Sequence, residues 1–276
     1  MIIPFLSDFE LEIATDRVAV GGYPTTQLQR GCLLFHHGQD LSEEGVGFGV
    51  PVLKRGFQTV FPGDLDLEVR HNDDVLELTA IFKMNLVERF SRPSKGIVKS
   101  RSVYNAKNSL AALIRSIHLM RAPLTGVSNL LRWTLGWETT FEEAGLCSYL
   151  RMVYALDSYS GLINATVDTS DLVDKDLTEV IIMNEQGARW FDQYMDSSGI
   201  SLRGKEIGCW DRVSAKEASF ISNAHQVAFT LTNVEGARLF RGRELVGSRL
   251  AWAGFGYTFP PTYQRFTYEL RLRQLL

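Results

Sequence analysis

Apolar side chains occupy every second position from Leu76 to Leu86, and polar side chains fill most of the positions between them. This alternation predicts a β-strand with one buried face, because successive side chains of a strand point to opposite sides of a sheet. Extended over residues 75–90, the strand would span roughly 50 Å at 3.3 Å per residue, which suits a large curved sheet. The same alternation over residues 266–273 predicts the last strand of the sequence.

Further strands are predicted where aliphatic and aromatic runs are bounded by turn residues. They cover residues 10–14, 32–36, 46–53, 65–71, 97–104, 149–156, 163–168, 179–183, 190–194 and 226–231. Two segments of similar sequence, 157–161 and 196–199, are predicted hairpin turns in which glycine supplies a positive φ. These patterns favour a mainly β fold, a large antiparallel β-sandwich that takes in residues 1–276 as a single domain.

One stretch departs from the β pattern. Apolar residues between Leu110 and Ile117 recur at intervals of three and four, and Pro123 ends the run. A second, weaker run with the same spacing follows the proline. We therefore expect a helical hairpin over residues 106–136, inserted into the β chain. Its arginines and its proline argue against a helix that crosses a membrane.

Charge is distributed unevenly along the chain. Residues 89–137, which we call the basic segment, contain nine Lys or Arg and no Asp or Glu, whereas the other residues carry 20 basic and 32 acidic groups. The basic segment is either an anion-binding site or a solvated cationic face balanced by an acidic sheet. Nucleic acid is not an expected partner, because the pI is about 6.0 and no nucleic-acid-reading module is recognisable.

Three cysteines, Cys32, Cys147 and Cys209, form an odd and widely spaced set. Free thiols in a reducing compartment explain this better than disulfides or a zinc site, and the first residues lack a secretory leader, so we expect a cytoplasmic protein. The sequence holds no recognisable nucleotide-binding loop or metal-ligand cluster. We therefore expect no cofactor and no bound metal.

The densest group of titratable side chains is His36 and His37, followed by Glu43 and Glu44. A histidine beside a carboxylate supplies an acid and a base near neutral pH, although a polar surface turn has the same composition. The glycine-rich run at 45–49 follows directly. Its alternating glycines leave room either for a ligand or for the close approach of another strand, and we expect the His and Glu side chains to line a polar cleft beside it.

Two later clusters are also candidates. Glu185 follows an apolar strand, at a place where a sheet often presents functional side chains, although a strand that gives way to a turn has the same pattern. Arg243 and Glu244 precede Trp252 and Tyr257, so cationic and aromatic groups alternate as they do in sugar and uronate sites. A salt-bridged strand over an aromatic core would have the same pattern.

The chain resembles the galactose-mutarotase-like β-supersandwich group, which includes galactose mutarotases and domains of polysaccharide lyases. The resemblance rests on length, on the many long strands and on the curved-sheet pattern across most of the chain. No motif aligns the histidines and glutamates of that group with this sequence, so no residue role is carried over. The resemblance implies a carbohydrate-active or carbohydrate-binding protein without a nucleotide cofactor.

We expect the ligand to be a sugar, in particular an acidic one. Arg243 or Arg115 would hold its carboxylate, while a histidine and Glu185 or Glu244 would transfer protons. Whether there is turnover stays open, and so does the reaction type: epimerisation, elimination or hydrolysis. The alternative is a non-catalytic binding or assembly module whose basic hairpin docks on an anionic partner, on a membrane surface or on a second subunit of a homo-oligomer.

Overall fold

The computed structural model describes residues 1–15, 17–19, 27–43, 45–56, 58–72, 75–92, 96–97, 138–172, 174–208, 210–246 and 249–275. The predicted helical hairpin at 106–136 lies outside these ranges. Within them, the one helical element is a short 3₁₀ turn, Gly204–Ile207. No helix of the described ranges is long and apolar enough to cross a membrane.

The described chain is built almost entirely of β-strands. Strands β1 to β7 are Ile2–Phe5, Phe9–Ile13, Arg17–Ala19, Gln27–Gln29, Cys32–His36, Gln39–Asp40 and Phe48–Arg55. Strands β8 to β14 are Gln58–Asn72, Val75–Arg92, Gly96–Ile97, Glu138–Asp157, Leu162–Asp168, Leu177–Gly187 and Gln193–Asp196. Strands β15 to β21 are Ser201–Arg203, Asp211–Arg212, Glu217–Ser222, Val227–Thr232, Arg238–Val246, Arg249–Phe259 and Arg265–Gln274.

Both strands predicted from strict alternation are confirmed, as β9 and as β21. The two predicted hairpin turns are confirmed as well, since β11 pairs with β12 and β14 pairs with β15 across them. In each turn an aspartate, Asp157 or Asp196, accepts hydrogen bonds from backbone N–H groups of the turn. The strand predicted at 190–194 is observed as β14 but begins three residues later, at Gln193, because the backbone N–H groups of Trp190 and Phe191 donate to the carbonyl of Gly187 in a turn.

Nineteen of the described strands form one connected antiparallel sheet. Its long axis runs in the order β15, β14, β17, β18, β21, β12, β11, β9, β8, β7, β13, β20, β19 and β16. A side branch of β5, β2 and β1 joins at β7. The expectation of a mainly β, antiparallel architecture is therefore confirmed.

The sheet doubles back so that its two halves face each other. We call β7, β13, β20 and β19 the front layer, and β14, β17, β18, β21, β12 and β11 the back layer. Phe255 of the front layer packs edge-on against Phe220 of the back layer, with ring centroids 4.8 Å apart. Tyr257 packs in the same way against Phe266 at 5.2 Å. Burial of these aromatic rings between the layers supplies much of the hydrophobic stabilisation.

Polar side chains of the core bond across the layers. The Tyr154 hydroxyl on β11 donates to the carbonyl of Gly49 on β7, 2.8 Å away. The Tyr268 hydroxyl on β21 donates to Asn184 Oδ1 on β13 at 3.0 Å. Because an unpaired polar group in the core is costly, these bonds fix how the two layers are placed relative to one another.

Candidate functional site

Strand β20 presents two different faces. Ala253, Phe255 and Tyr257 are fully buried between the layers, as expected for alternate residues of a strand that point inward. The outward positions between them include Gly254 and Gly256. The outer surface of the front layer therefore has a strip without side chains, over which other groups can lie close to the backbone.

An indole ring fills part of that strip. A Cβ built on Gly256 would overlap the ring of Trp210, so the ring lies directly on the backbone of β20. The Trp210 ring stacks on Phe240 of β19, with centroids 5.5 Å apart and planes 3° from parallel. Trp252 meets Trp210 edge-on at 6.5 Å. All three aromatic side chains are partly exposed, so they form a platform that solvent reaches.

Two carboxylates lie beside this platform. Glu185 of β13 is level with Gly254 in the neighbouring strand and is 4% exposed. Glu43 lies over the next outward position of β13, since a Cβ built on Gly187 would be 3.2 Å from Glu43 Cβ. Gly187 in turn pairs with Trp252. We call the group formed by Trp210, Phe240, Trp252, Glu43 and Glu185 the aromatic face.

Two members of the aromatic face have left-handed backbone conformations. Glu43 has φ 41° and Trp210 has φ 63°. A side chain other than glycine is disfavoured there by about 1 kcal/mol or more, and such strain is retained where the surrounding structure requires it. At Trp210 the conformation brings the indole onto Gly256, and at Glu43 it accompanies the contact with Gly187. The strain therefore marks the aromatic face as a candidate functional site.

The structure brings together three of the residues chosen from the sequence, Glu43, Glu185 and Trp252. Glu244 is close in the sheet, because its backbone pairs with that of Trp252. Glu44 and Arg115 lie outside the described residues. Trp210 was not among the residues chosen from the sequence, because it reaches the face through contacts with residues 30 or more positions away and has no local signal.

Arg243 and Tyr257 do not belong to the aromatic face. Arg243 lies between two outward-facing positions of β19 and therefore faces the opposite side of the strand. Its Nε and Nη2 donate to the carbonyl of Ala188 at 3.2 and 3.0 Å. Burial lowers the pKa of Arg243, and nearby Asp192 opposes that effect. Tyr257 is fully buried and its hydroxyl donates to the carbonyl of Thr232. Tyr257 therefore fits the alternative interpretation of this segment, in which the strand packs over an aromatic core.

The predicted histidine cluster has a different arrangement from the expected one. His36 ends β5, whereas β5 meets the glycine-rich strand β7 at its other end, where Cys32 pairs with Phe48. Nδ1 of His36 lies 2.9 Å from Nδ1 of His225, so one ring donates a hydrogen to the other. His37 occupies the adjoining turn, with its ring centroid 4.2 Å from that of His36.

Burial lowers the pKa of both His36 and His225, and the neighbouring histidines lower it further. Both rings are therefore neutral near pH 7, where a hydrogen bond between them is stable. Phe9 stacks on His36 with centroids 4.4 Å apart. These contacts hold β5 against the turn that precedes β18, so the histidines have a structural role here.

Other parts of the chain fill the space beside the glycine-rich run. A Cβ on Gly49 would meet the hydroxyl end of Tyr154, and one on Gly47 would lie 2.7 Å from the carbonyl oxygen of Cys32. The glycines therefore permit close approach of other parts of the chain, the second of the two interpretations offered by the sequence. Across the described ranges, no group of three or more His, Cys, Asp or Glu is arranged to hold a metal ion.

No protein-family model and no curated relative matches the sequence. Among solved structures, the alpha-N-acetylgalactosaminidase NagBb from Bifidobacterium bifidum in complex with GalNAc aligns with a TM-score of 0.52 and 10% identity. The ligand-free form of NagBb gives 0.51 and 10%. Both alignments cover 99% of this chain but 36% of the NagBb chain. This chain thus spans about a third of the length of that enzyme.

The Slr1438 protein from Synechocystis sp. PCC 6803 aligns over 99% of this chain and 95% of its own, with 10% identity and a TM-score of 0.36. At 10% identity, the two NagBb alignments show a shared fold alone. A carbohydrate-active enzyme therefore contains a region with the fold of this chain. At the level of the fold, this agrees with the carbohydrate-active resemblance drawn from the sequence.

Proposed function

We propose that the chain is a carbohydrate-binding β-domain whose sugar lies on the aromatic face. The observation that carries the proposal is the platform of Trp210, Phe240 and Trp252 beside two carboxylates. The C–H faces of a sugar ring are apolar and pack on aromatic rings, whereas its hydroxyls need hydrogen-bond acceptors such as carboxylate oxygens. The aromatic face offers both kinds of group at adjacent positions of β13, β19 and β20.

The charges of the aromatic face favour an uncharged sugar over the acidic one expected from the sequence. Its own ionisable groups are Glu43 and Glu185. Arg238 borders the platform over Phe240, with its Cζ 5.9 Å from the ring centroid, but it is paired with Glu179. Arg243 is directed to the Ala188 carbonyl instead. Both arginines are thus engaged elsewhere, so neither offers a uronate carboxylate the cationic partner that favours its binding.

The proposal is tested by titrating the full chain with a panel of neutral oligosaccharides and their uronic-acid counterparts in a calorimeter. We expect saturable binding of a neutral sugar, weakened about fivefold or more by Trp252→Ala, because stacking on an aromatic side chain contributes roughly 1–3 kcal/mol. Tyr159→Ala is the matched control, since Tyr159 is 99% exposed and lies in the 157–161 turn. Equal loss in both variants, or binding of no sugar, would refute the proposal.

Catalysis by acid and base at the same face is the second part of the proposal. Among the side chains that the structure describes, Glu185 and Glu43 are carboxylates beside the platform, and a pair of carboxylates is the usual equipment for glycoside hydrolysis. Glu185→Gln and Glu43→Gln preserve size while removing proton transfer. If the chain turns over chromogenic glycosides, we expect both variants to lose turnover while sugar binding persists; retained turnover in either would exclude that residue as acid or base.

A further inference from the structure

A half-open cavity of about 460 Å³ lies elsewhere in the fold, between β7, β8, β9, β11 and β13. None of the residues that line it belongs to the aromatic face. Its volume falls within the range of small-molecule sites, roughly 300–1,000 Å³. Sugar binding on the aromatic face therefore does not account for this cavity.

Irregular strand pairing surrounds the cavity on three sides. The register of β11 against β9 shifts between Glu143 and Ser148, both of which line the cavity. The register of β8 against β9 shifts on either side of Pro62, which pairs with the lining residue Met84. The register of β13 against β7 shifts just after Leu177. Bulges of this kind occur beside functional sites, where they spread a sheet or redirect side chains. Three of them around one cavity indicate that the opening is built into the fold.

The cavity has an apolar floor. Its buried apolar side chains are Leu53, Val60, Met84, Val87 and Leu177. No aromatic side chain is found among the lining residues that the structure describes, so the cavity lacks the platform on which a sugar would stack. An aliphatic body fits this floor better, because burying it removes apolar surface from water on both sides.

A fixed arginine lies among the polar lining residues. Arg55 Nε is 2.7 Å from Asp174 Oδ2, and Arg55 Nη2 is 3.5 Å from Asp176 Oδ2. The backbone N–H of Asp176 also donates to Asp174 Oδ1 at 2.9 Å, which holds the Asp174 carboxylate in place. These contacts orient the guanidinium, whose remaining N–H groups can donate to an oxygen acceptor.

We propose that this cavity binds a small uncharged amphipathic molecule, with its aliphatic body on the apolar floor and a hydroxyl or carbonyl oxygen near Arg55. The charged lining residues are Arg55, Asp174 and Glu143, which together carry one net negative charge. A ligand carboxylate would add a like charge to the pair that already neutralises Arg55. This site is independent of the sugar proposal.

The test uses 1-octanol and its charged counterpart octanoate, titrated into the full chain by isothermal calorimetry. We expect saturable binding of octanol and binding of octanoate that is weaker by about tenfold or more. Ala144→Leu and, separately, Ser148→Leu add bulk on the two sides of the β11 bulge and should each weaken octanol binding by a similar factor. Ala155→Leu on the same strand is the matched control, because Ala155 does not line the cavity.

Circular dichroism and urea unfolding verify that each variant is folded before it is titrated. Octanoate that binds as tightly as octanol would overturn the charge argument. Absence of saturable octanol binding, or unchanged binding in both folded cavity variants, would overturn the site itself.

Discussion

The indole of Trp210 occupies the space that a side chain on residue 256 would fill. The two residues are 46 positions apart, and their contact joins the segment before β16 to the middle of β20. The φ of Gly256 is not in the left-handed region, so the backbone conformation does not require a glycine there. Glycine is required at this position because any side chain would overlap the Trp210 ring. The same contact holds one of the two tryptophans on which the proposed sugar would lie.

Gly256→Ala should displace the Trp210 ring and lower the free energy of unfolding by about 1–3 kcal/mol, the usual cost of overpacking. Urea unfolding measures this effect. The control is the double variant with Trp210→Ala, in which the overlap is relieved and the alanine should cost much less. An equal cost in both backgrounds would contradict the contact.

Tyr154→Phe should destabilise the protein by about 1–3 kcal/mol, because it leaves the Gly49 carbonyl without its donor in the core. Tyr159→Phe, which removes a hydroxyl from a fully exposed ring, should change the free energy of unfolding little. Comparison of the two urea midpoints is sufficient. A Tyr154→Phe variant as stable as the wild type would show that this cross-layer bond has no net effect.

Cys32 should resist alkylation in the folded protein. It is buried and unpaired by a disulfide, and burial raises the pKa of its thiol to about 12, so little thiolate is present at pH 8. In a variant with Cys147→Ser and Cys209→Ser, we expect iodoacetamide to label the thiol in denaturant only. Rapid labelling without denaturant would mean that the region around β5 opens readily.

The His36 and His225 pair should make stability depend on pH in the window below about 6.5, the ordinary pKa of histidine. Since the folded pKa of each ring lies below its ordinary value of 6.5, the unfolded chain binds more protons in this window and stability falls as the pH drops. Asp8 acts in the opposite direction on His36, and His37 acts in the same direction on both rings. The ordinary pKa values of the aspartates lie well below that of histidine.

His225→Gln should flatten this pH dependence, because it removes one titrating ring and the charge that it places beside His36. Urea unfolding at pH 7, 6 and 5 measures the slope in both proteins. His118→Gln is the control, at a histidine outside the described residues. It shows whether the loss of any histidine flattens the pH dependence. Parallel slopes in wild type and His225→Gln would refute the assignment.

Much of the architecture follows from local patterns in the sequence. Strict alternation identified β9 and β21, and aspartate with glycine identified the turns at 157–161 and 196–199. The alternation of Gly254 and Gly256 with Phe255 and Tyr257 also carried information that the sequence analysis did not use. Large residues at alternate positions belong to the core side of a strand, and this pattern would have placed Tyr257 correctly.

Other features depend on contacts between distant parts of the chain. His36 and His225 are 189 positions apart, and no local pattern indicates that their rings meet. Trp210 has no periodic neighbours that would place it on β20. Glu43 was selected for its proximity to histidines in the sequence, but the fold brings it to Gly187 instead. The sequence thus indicated which types of residue could form the site. Which of them contact one another could be learned only from the three-dimensional structure.

The central claim, that a sugar lies on the aromatic face, is tested most directly by ¹H–¹⁵N NMR of the tryptophan indole groups during titration with neutral oligosaccharides. Trp210 and Trp252 belong to the aromatic face, whereas Trp190 packs against His225 at 4.8 Å between ring centroids and serves as an internal control. The account predicts saturable shifts of the Trp210 and Trp252 indole signals, with that of Trp190 unchanged. Shifts confined to Trp190, or sugar binding that leaves Trp210 and Trp252 unaffected, would contradict it.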